Sequence, residues 1–226
     1  MNKEIVLKKA ESTIILQMKK TENINHPLYI TESGLIDKKG YKLIIGIDEA
    51  GRGPGAGPVV AAAVHIPPER ASALVGRIKD SKKMTEKQRE KMYVVLATSY
   101  KYSIGIVDNK TIDKINILEA TKLAIKEAVS GLPEADYALI DGNMKIDNLG
   151  IPYESIIKGD NICVSIAAGA IIAKVTRDRI MEKLHLEYPQ YCWNSNKGYL
   201  TKKHIAAIRE NGITPHHRLS FNKVGN

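Results

Sequence analysis

The sequence predicts an α/β fold, with a mixed five-stranded sheet flanked by helices on both faces. Three observations carry that expectation. Short apolar runs rich in β-branched residues and alanine recur along the chain, bounded by glycine and proline. Only a turn separates the first two runs, so they pair antiparallel. The later runs alternate with helical segments long enough to cross over between parallel strands.

The elements follow in order. Residues 43–48 and 59–66 read as buried strands on either side of a Gly- and Pro-rich turn. In "DSKKMTEKQREKMYVVLATSY", Thr85 with Gln88 three residues on is a capping box that opens an amphipathic helix. "KYSIGIVD" is a third strand. "NILEATKLAIKEAVSGLP", from Asn116, is a helix stopped by Gly131 and Pro133. "YALID" and "YESIIK" are the fourth and fifth strands. A long helix covers 161–187 and ends before Pro189, and a final helix over 200–211 has Gly212 at its C′ position. Residues 1–40 lack clear periodicity and are set apart as an N-terminal extension. Residues 41–226 form the main domain, with a helical C-terminal region.

Composition narrows the function. With 226 residues, 43% of them hydrophobic, the chain can bury a core of its own. A formal charge of +9 favours a polyanionic partner such as nucleic acid, and Lys197, Lys202, Lys203, Arg209 and Arg218 concentrate it near the C-terminus. Cys163 and Cys192 are too few for a disulfide framework, and "MNKEIVLKKAESTIILQ" has no apolar core of signal-peptide length. No apolar segment approaches the roughly 20 residues of a membrane span. The expectation is a cytoplasmic monomer with no membrane partner.

The chemistry concentrates at "LIIGIDEAGRGPGAGPVVAAAVHI". Its "GRGPGA" fits the dinucleotide fingerprint, but that fingerprint opens a helix, whereas Pro58 here leads into a strand. Asp48 and Glu49 immediately before the turn would also repel a pyrophosphate. Those two carboxylates, at the end of a strand, are instead suited to hard divalent cations such as Mg²⁺ or Mn²⁺. A lone Asp-Glu pair is also what a solvated turn looks like, so partners matter. Asp141 ends "YALID" before a glycine, and Asp160 ends "IIKGD", read as the end of another strand, which gives three strands ending in acid. Asp178, with Lys174 one helical turn away and Arg177 and Arg179 beside it, reads as an ion-pair residue. His65, His185 and His204 read as structural or surface residues.

"GIDEAGRGPGAGPVVAAAV", "DSKKMT", "DGN", "KGD", "IAAGAIIAKVTRDRIM", "YPQY", "KGYLTKKH" and "HHRLSF", in this order from about residue 42 to 223, resemble the bacterial ribonuclease HII family, the type 2 ribonucleases H. The resemblance implies a ribonuclease H-like fold and an endonuclease rather than a binding module without turnover. It implies metal-dependent hydrolysis of the RNA strand of RNA–DNA hybrids, with Mn²⁺ or Mg²⁺ as cofactor. Ribonucleotide-containing duplex DNA is the second implied substrate. It is nicked 5′ of a single ribonucleotide, leaving a 3′-hydroxyl and a 5′-phosphate.

Carried over by motif, Asp48, Glu49 and Asp141 match the metal-binding carboxylates, and Asp160 in KGD matches the fourth catalytic acid, with Asp178 as second choice. Gly51, Arg52 and Gly53 match the turn that reads the ribonucleotide, and Tyr199 the residue that packs on the neighbouring deoxyribose. Lys82 and Lys83 match a backbone-phosphate motif. His216 and His217 lie in a family motif without an assigned chemical step. Two departures stand out: Gly55 where a larger apolar residue is usual, and Gly169-Ala170 in place of Ala-Ser. A glycine inside a helix costs about 1 kcal/mol relative to alanine.

Overall fold

The computed structural model describes residues 39–74, 77–78, 84–222 and 224, together with Glu32, Gly34 and Leu35. Five strands, β1 (Ile44–Ala50), β2 (Val59–His65), β3 (Lys101–Val107), β4 (Tyr137–Asp141) and β5 (Tyr153–Ile156), form one sheet in the order β3-β2-β1-β4-β5. β1 pairs antiparallel with β2, as the short turn requires, and parallel with β4. β2 pairs antiparallel with β3, and β4 parallel with β5. The helices are α1 (Pro68–Leu74), α2 (Glu86–Ser99), α3 (Asn109–Ser130), α4 (Val164–Glu187), α5 (Trp193–Asn196) and α6 (Lys202–Asn211). No described helix is long and apolar enough to cross a membrane.

Side-chain alternation along β2 divides the core between the two faces. Val59, Ala61 and Ala63 pack with Ile112, Ala124 and Ile125 of α3. Val60, Ala62 and Val64 pack with Ala168, Ile171 and Ile172 of α4, and with Leu96 of α2. Small alanines let α4 lie close to the sheet, as does Gly46 of β1, where a Cβ would strike the α4 main chain at Ser165 and Ile166, and so does Gly169. A Cβ there would stand 2.9 Å from the Ala62 carbonyl oxygen and 3.1 Å from the Asp48 nitrogen. The helix-interior glycine thus works with Gly46 to seat α4 on the carboxylate-bearing strand.

Several boundaries differ from the sequence expectation. The capping box of α2 is present, with Gln88 N–H donating to Thr85 Oγ1 and Thr85 N–H to Gln88 Oε1. α1 was not expected from the sequence pattern. α3 starts earlier than Asn116, because Asp108 accepts the Thr111 N–H at 2.8 Å and caps a first segment. Asn116 itself, at φ 65°, breaks the helix and recaps it, its Oδ1 accepting from Leu118 and Glu119. The expected fifth strand stops at Ile156, and the long helix begins at Val164. Between them Lys158, in the left-handed region, and the 3-10 turn Gly159–Asn161 redirect the chain. Asp160 therefore sits on a turn and not at a strand end.

At the head of α4, Glu32 accepts from Ser165 N–H (3.1 Å) and Ser165 Oγ–H (2.6 Å). Leu35 packs with Ile44, Leu139 and Ile166. These residues of the N-terminal extension are built into the domain.

Candidate active site

The register of the parallel pair sets the site. Ile47 lies opposite Ile140, so the next residues, Asp48 and Asp141, stand side by side at the carboxyl ends of β1 and β4. That end of parallel strands is where open α/β sheets bind ligands. Asp48, Glu49 and Asp141 line one pocket. Burial holds the Asp48 carboxyl well above its usual range, and the charges of Glu49, Asp141 and Asp160 push it the same way. The Glu49 N–H donated to Asp48 Oδ1 (2.6 Å) only partly offsets this. Glu49 is also raised, chiefly by burial, and is relieved by Arg52 at 3.2 Å. Its Oε2 is buried with no hydrogen-bond partner among the described residues.

Two buried acids with raised pKa values beside a third carboxylate, one of them with an orphaned oxygen, fit a bound cation. Among the described residues no three His, Cys, Asp or Glu side chains are placed to hold a metal ion as they stand. An open, all-oxygen set suits Mg²⁺ or Mn²⁺, ions that retain waters and share ligands with phosphate.

The remaining candidate acids separate. Asp160 is 7% exposed, accepts from Asn161 Nδ2 at 2.8 Å, and is near enough to Asp48 to act on its charge. The preceding Gly159 N–H donates to Asp141 Oδ1 at 2.7 Å, which ties the two acids together through main chain. Asp178 faces Lys174 in a 2.7 Å ion pair. Lys82 and Lys83 lie outside the described residues.

The bare turn forms a second wall, with Gly51, Arg52 and Gly53 all lining the pocket. Gly51 has φ 99°, and a Cβ there would strike the side chain of Arg177. Tyr199 is half exposed and stands over the turn, 3.2 Å from where a Gly53 Cβ would be. The unusual Gly55 is also accounted for, since a Cβ there would lie 2.7 Å from Leu200 Cδ2. Leu200 occupies the space that a larger residue 55 would need.

Sequence reasoning missed the support behind the turn. Arg177 donates to the carbonyls of Pro58, Lys197 and Ala56, and Arg218 to those of Gly57, Arg52, Gly51 and Pro58. Burial lowers the pKa of Arg177 to about 10 and that of Arg218 to about 9, so both remain cations at neutral pH. Ala170, Lys174 and Arg177 also line the pocket, and their spacing of four and three places them on one helix face. That stripe was readable in the sequence.

Tyr199 is held from behind as well. Trp193 Nε1–H donates to His204 Nε2 at 3.1 Å, which places the His204 proton on Nδ1, where it is donated to the Tyr199 carbonyl at 3.0 Å. His217 Nε2 lies 3.0 Å from the same His204 nitrogen, while its Nδ1 accepts from Thr214 N–H at 2.9 Å. Burial lowers both imidazole pKa values, and the neighbouring His204 helps bring His217 to about 4. These neutral histidines are structural, as expected for His204.

A five-stranded mixed sheet carrying acids at the ends of its central strands, with helices on both faces, defines a ribonuclease H-like protein. The comparisons agree. The structure superposes on Archaeoglobus fulgidus ribonuclease HII, solved in a complex with PCNA, with a TM-score of 0.69 at 25% identity, covering 80% of this chain and 96% of that one. Ribonuclease H2 from Pyrococcus horikoshii gives 0.66 at 26% identity, covering 81% and 96%. The family model for ribonuclease HII matches residues 45–224. Ribonuclease HII of Acetivibrio thermocellus is 54% identical over 82% of this chain and 72% of its own length, and that of Rickettsia bellii 51% identical over 80% and 91%. The chain belongs to the ribonuclease HII family.

Proposed function

We propose that this chain, a ribonuclease H acting on RNA–DNA hybrids by its family, also nicks duplex DNA on the 5′ side of a single embedded ribonucleotide, leaving a 3′-hydroxyl and a 5′-phosphate. The observation that carries the reading is the pairing of two unlike walls in one pocket. One wall is a set of buried acids, and the other is exposed main chain. Asp48, Glu49 and Asp141 would hold two divalent ions, Mg²⁺ or Mn²⁺, with Asp160 as the fourth acid. Such ions, when bound, supply a water activated near neutral pH and offset charge on the leaving 3′-oxygen.

The chain's own residues provide selection and alignment. Main-chain groups of Gly51–Gly53 meet the 2′-hydroxyl, which both donates and accepts and so marks RNA. The Tyr199 ring packs on the following sugar, fixing the scissile phosphate relative to the acids. Arg52, Lys82 and Lys83 meet backbone phosphates. Residues 41–226 carry this catalytic unit, and 1–40 are its extension.

The test uses end-labelled duplexes with one, four or no ribonucleotides, in Mg²⁺ and in Mn²⁺. A nick 5′ of the single ribonucleotide is expected, together with no cleavage of all-DNA duplex. Efficient cleavage of the four-ribonucleotide duplex without the single-ribonucleotide nick would overturn the reading.

A further inference from the structure

Two cations lie behind the ribose-facing turn, Arg177 at 1% exposure and Arg218 at 0%. Every hydrogen bond found for either guanidinium among the described residues goes to a main-chain carbonyl, at 2.7–3.1 Å. The acids that act on them electrostatically are engaged elsewhere. Asp178 pairs with Lys174, and Asp113 accepts from Leu219 and Ser220. Burying a guanidinium without a bonded carboxylate is costly, and a well-packed apolar side chain would serve stability alone at least as well. What the two arginines achieve, and an apolar residue would not, is to fix the direction of peptide dipoles.

That direction follows from peptide geometry. In a trans peptide the C=O of one residue and the N–H of the next point to opposite sides. The Gly51 carbonyl turns inward to Arg218 Nη2 (2.7 Å), so the Arg52 N–H turns outward. The Arg52 carbonyl turns inward to Arg218 Nη1 (3.1 Å), so the Gly53 N–H turns outward. Both residues line the pocket. Arg177 fixes the rest: it fills the space beside Gly51, holds the Ala56 and Pro58 carbonyls on the returning limb, and holds the Lys197 carbonyl two residues before Tyr199.

We propose that Arg177 and Arg218 are positioning residues for ribose selection, drawing the carbonyls of the turn onto themselves so that the Arg52 and Gly53 N–H groups face a 2′-oxygen. The inference rests on the reading of the turn as the ribose contact. It adds that this contact is set by two buried residues whose hydrogen bonds go to the carbonyls of the turn and its supports. Lysine at either position keeps the charge but loses the fork that binds several carbonyls at once.

The measurement is the affinity for a duplex with one ribonucleotide divided by that for the same all-DNA duplex, taken in chelator where no product forms. This ratio does not depend on the fraction of folded protein. Arg218→Lys and Arg177→Lys are each expected to lower it about fivefold or more, the scale of one lost hydrogen bond, with all-DNA affinity nearly unchanged. A folded variant that keeps the full ratio overturns the proposal. Should neither variant fold, the wild-type amides decide. In ¹⁵N-labelled protein the Arg52 and Gly53 resonances should shift with the ribonucleotide duplex and not with all-DNA duplex. Absence of that shift means that the ribose reading has failed and the inference with it. A shift in wild type, together with Lys variants of unchanged ratio, sinks the inference alone.

Discussion

The acid edge of the sheet and the scaffold behind the Gly-Arg-Gly turn meet in one pocket but are built on opposite plans. At the edge, like charges crowd Asp48 and a Glu49 oxygen has no partner. In the scaffold, Arg177, Arg218, His204 and His217 are each bonded, and each makes at least one hydrogen bond to main chain. The edge leaves a buried acceptor without a partner, whereas the scaffold side chains are bonded. Their responses to pH are therefore opposite. Asp48 and Glu49 bind protons more tightly folded than unfolded, so their contribution to stability is largest in acid and is lost as pH rises through their raised pKa values. His204 and His217 bind protons less tightly when folded. Their contribution is full above the usual 6.5 and is lost as pH falls, toward about 4 for His217.

The sharpest way to break this contrast is Asp141→Asn, which removes one charge from the edge and leaves the scaffold alone. Cleavage should fall by several orders of magnitude while binding to the duplex persists. Near-normal turnover in Mg²⁺ would take Asp141 out of the site. Tyr199→Ala strikes the scaffold side and should lower single-ribonucleotide nicking about 10- to 100-fold through misalignment, with a smaller loss on longer hybrids, read as kcat/KM on the two substrates.

Stability measurements sharpen the scaffold half. Gly55→Leu should cost about 1–3 kcal/mol by overpacking against Leu200, and Leu200→Gly in the same chain should recover most of it. Additive losses in urea unfolding would show that the two positions do not share one space. Between pH 6.5 and about 4, His217→Gln should remove a slope of up to about 1.4 kcal/mol per pH unit from the metal-free protein. An unchanged acid limb would mean that His217 is protonated in the fold. The smallest effect belongs to Lys202 and Lys203, exposed at the start of α6. Neutralising either should flatten the salt dependence of duplex binding by about 0.9 in log–log slope. A slope that does not change would make them solvated cations.

The strands, the capping box at Thr85 and the acids Asp48, Glu49 and Asp141 were legible because each is written in adjacent residues. Two strand ends coincide in space as soon as their parallel register is fixed, and apolar runs fix it. Asp160 was legible by motif but misplaced on a strand, since a left-handed Lys158 carries no clear sequence signal. The first segment of α3 was hidden by Asn116, which looks like a helix start because it is one, in the middle of a longer element. Arg177 and Arg218 were misread, Arg218 as part of a phosphate-facing basic region and Arg177 as a flank of Asp178, whereas both are buried. A basic residue reads as solvated, and only three-dimensional closure of the turn reveals that these two are buried against carbonyls far away in sequence.

The close seating of α4 through Gly169, and its capping by Glu32 from the other end of the chain, bear on how the protein is made. During synthesis Asp48 and Glu49 emerge early, yet the helix that buries them, and the Asp160 turn before it, follow only after β4 and β5. At about 5–20 residues per second, the acids spend on the order of ten seconds in a nascent chain that cannot yet crowd them together. The full set of charges around Asp48, which includes Asp160, is therefore complete only once that turn has been made.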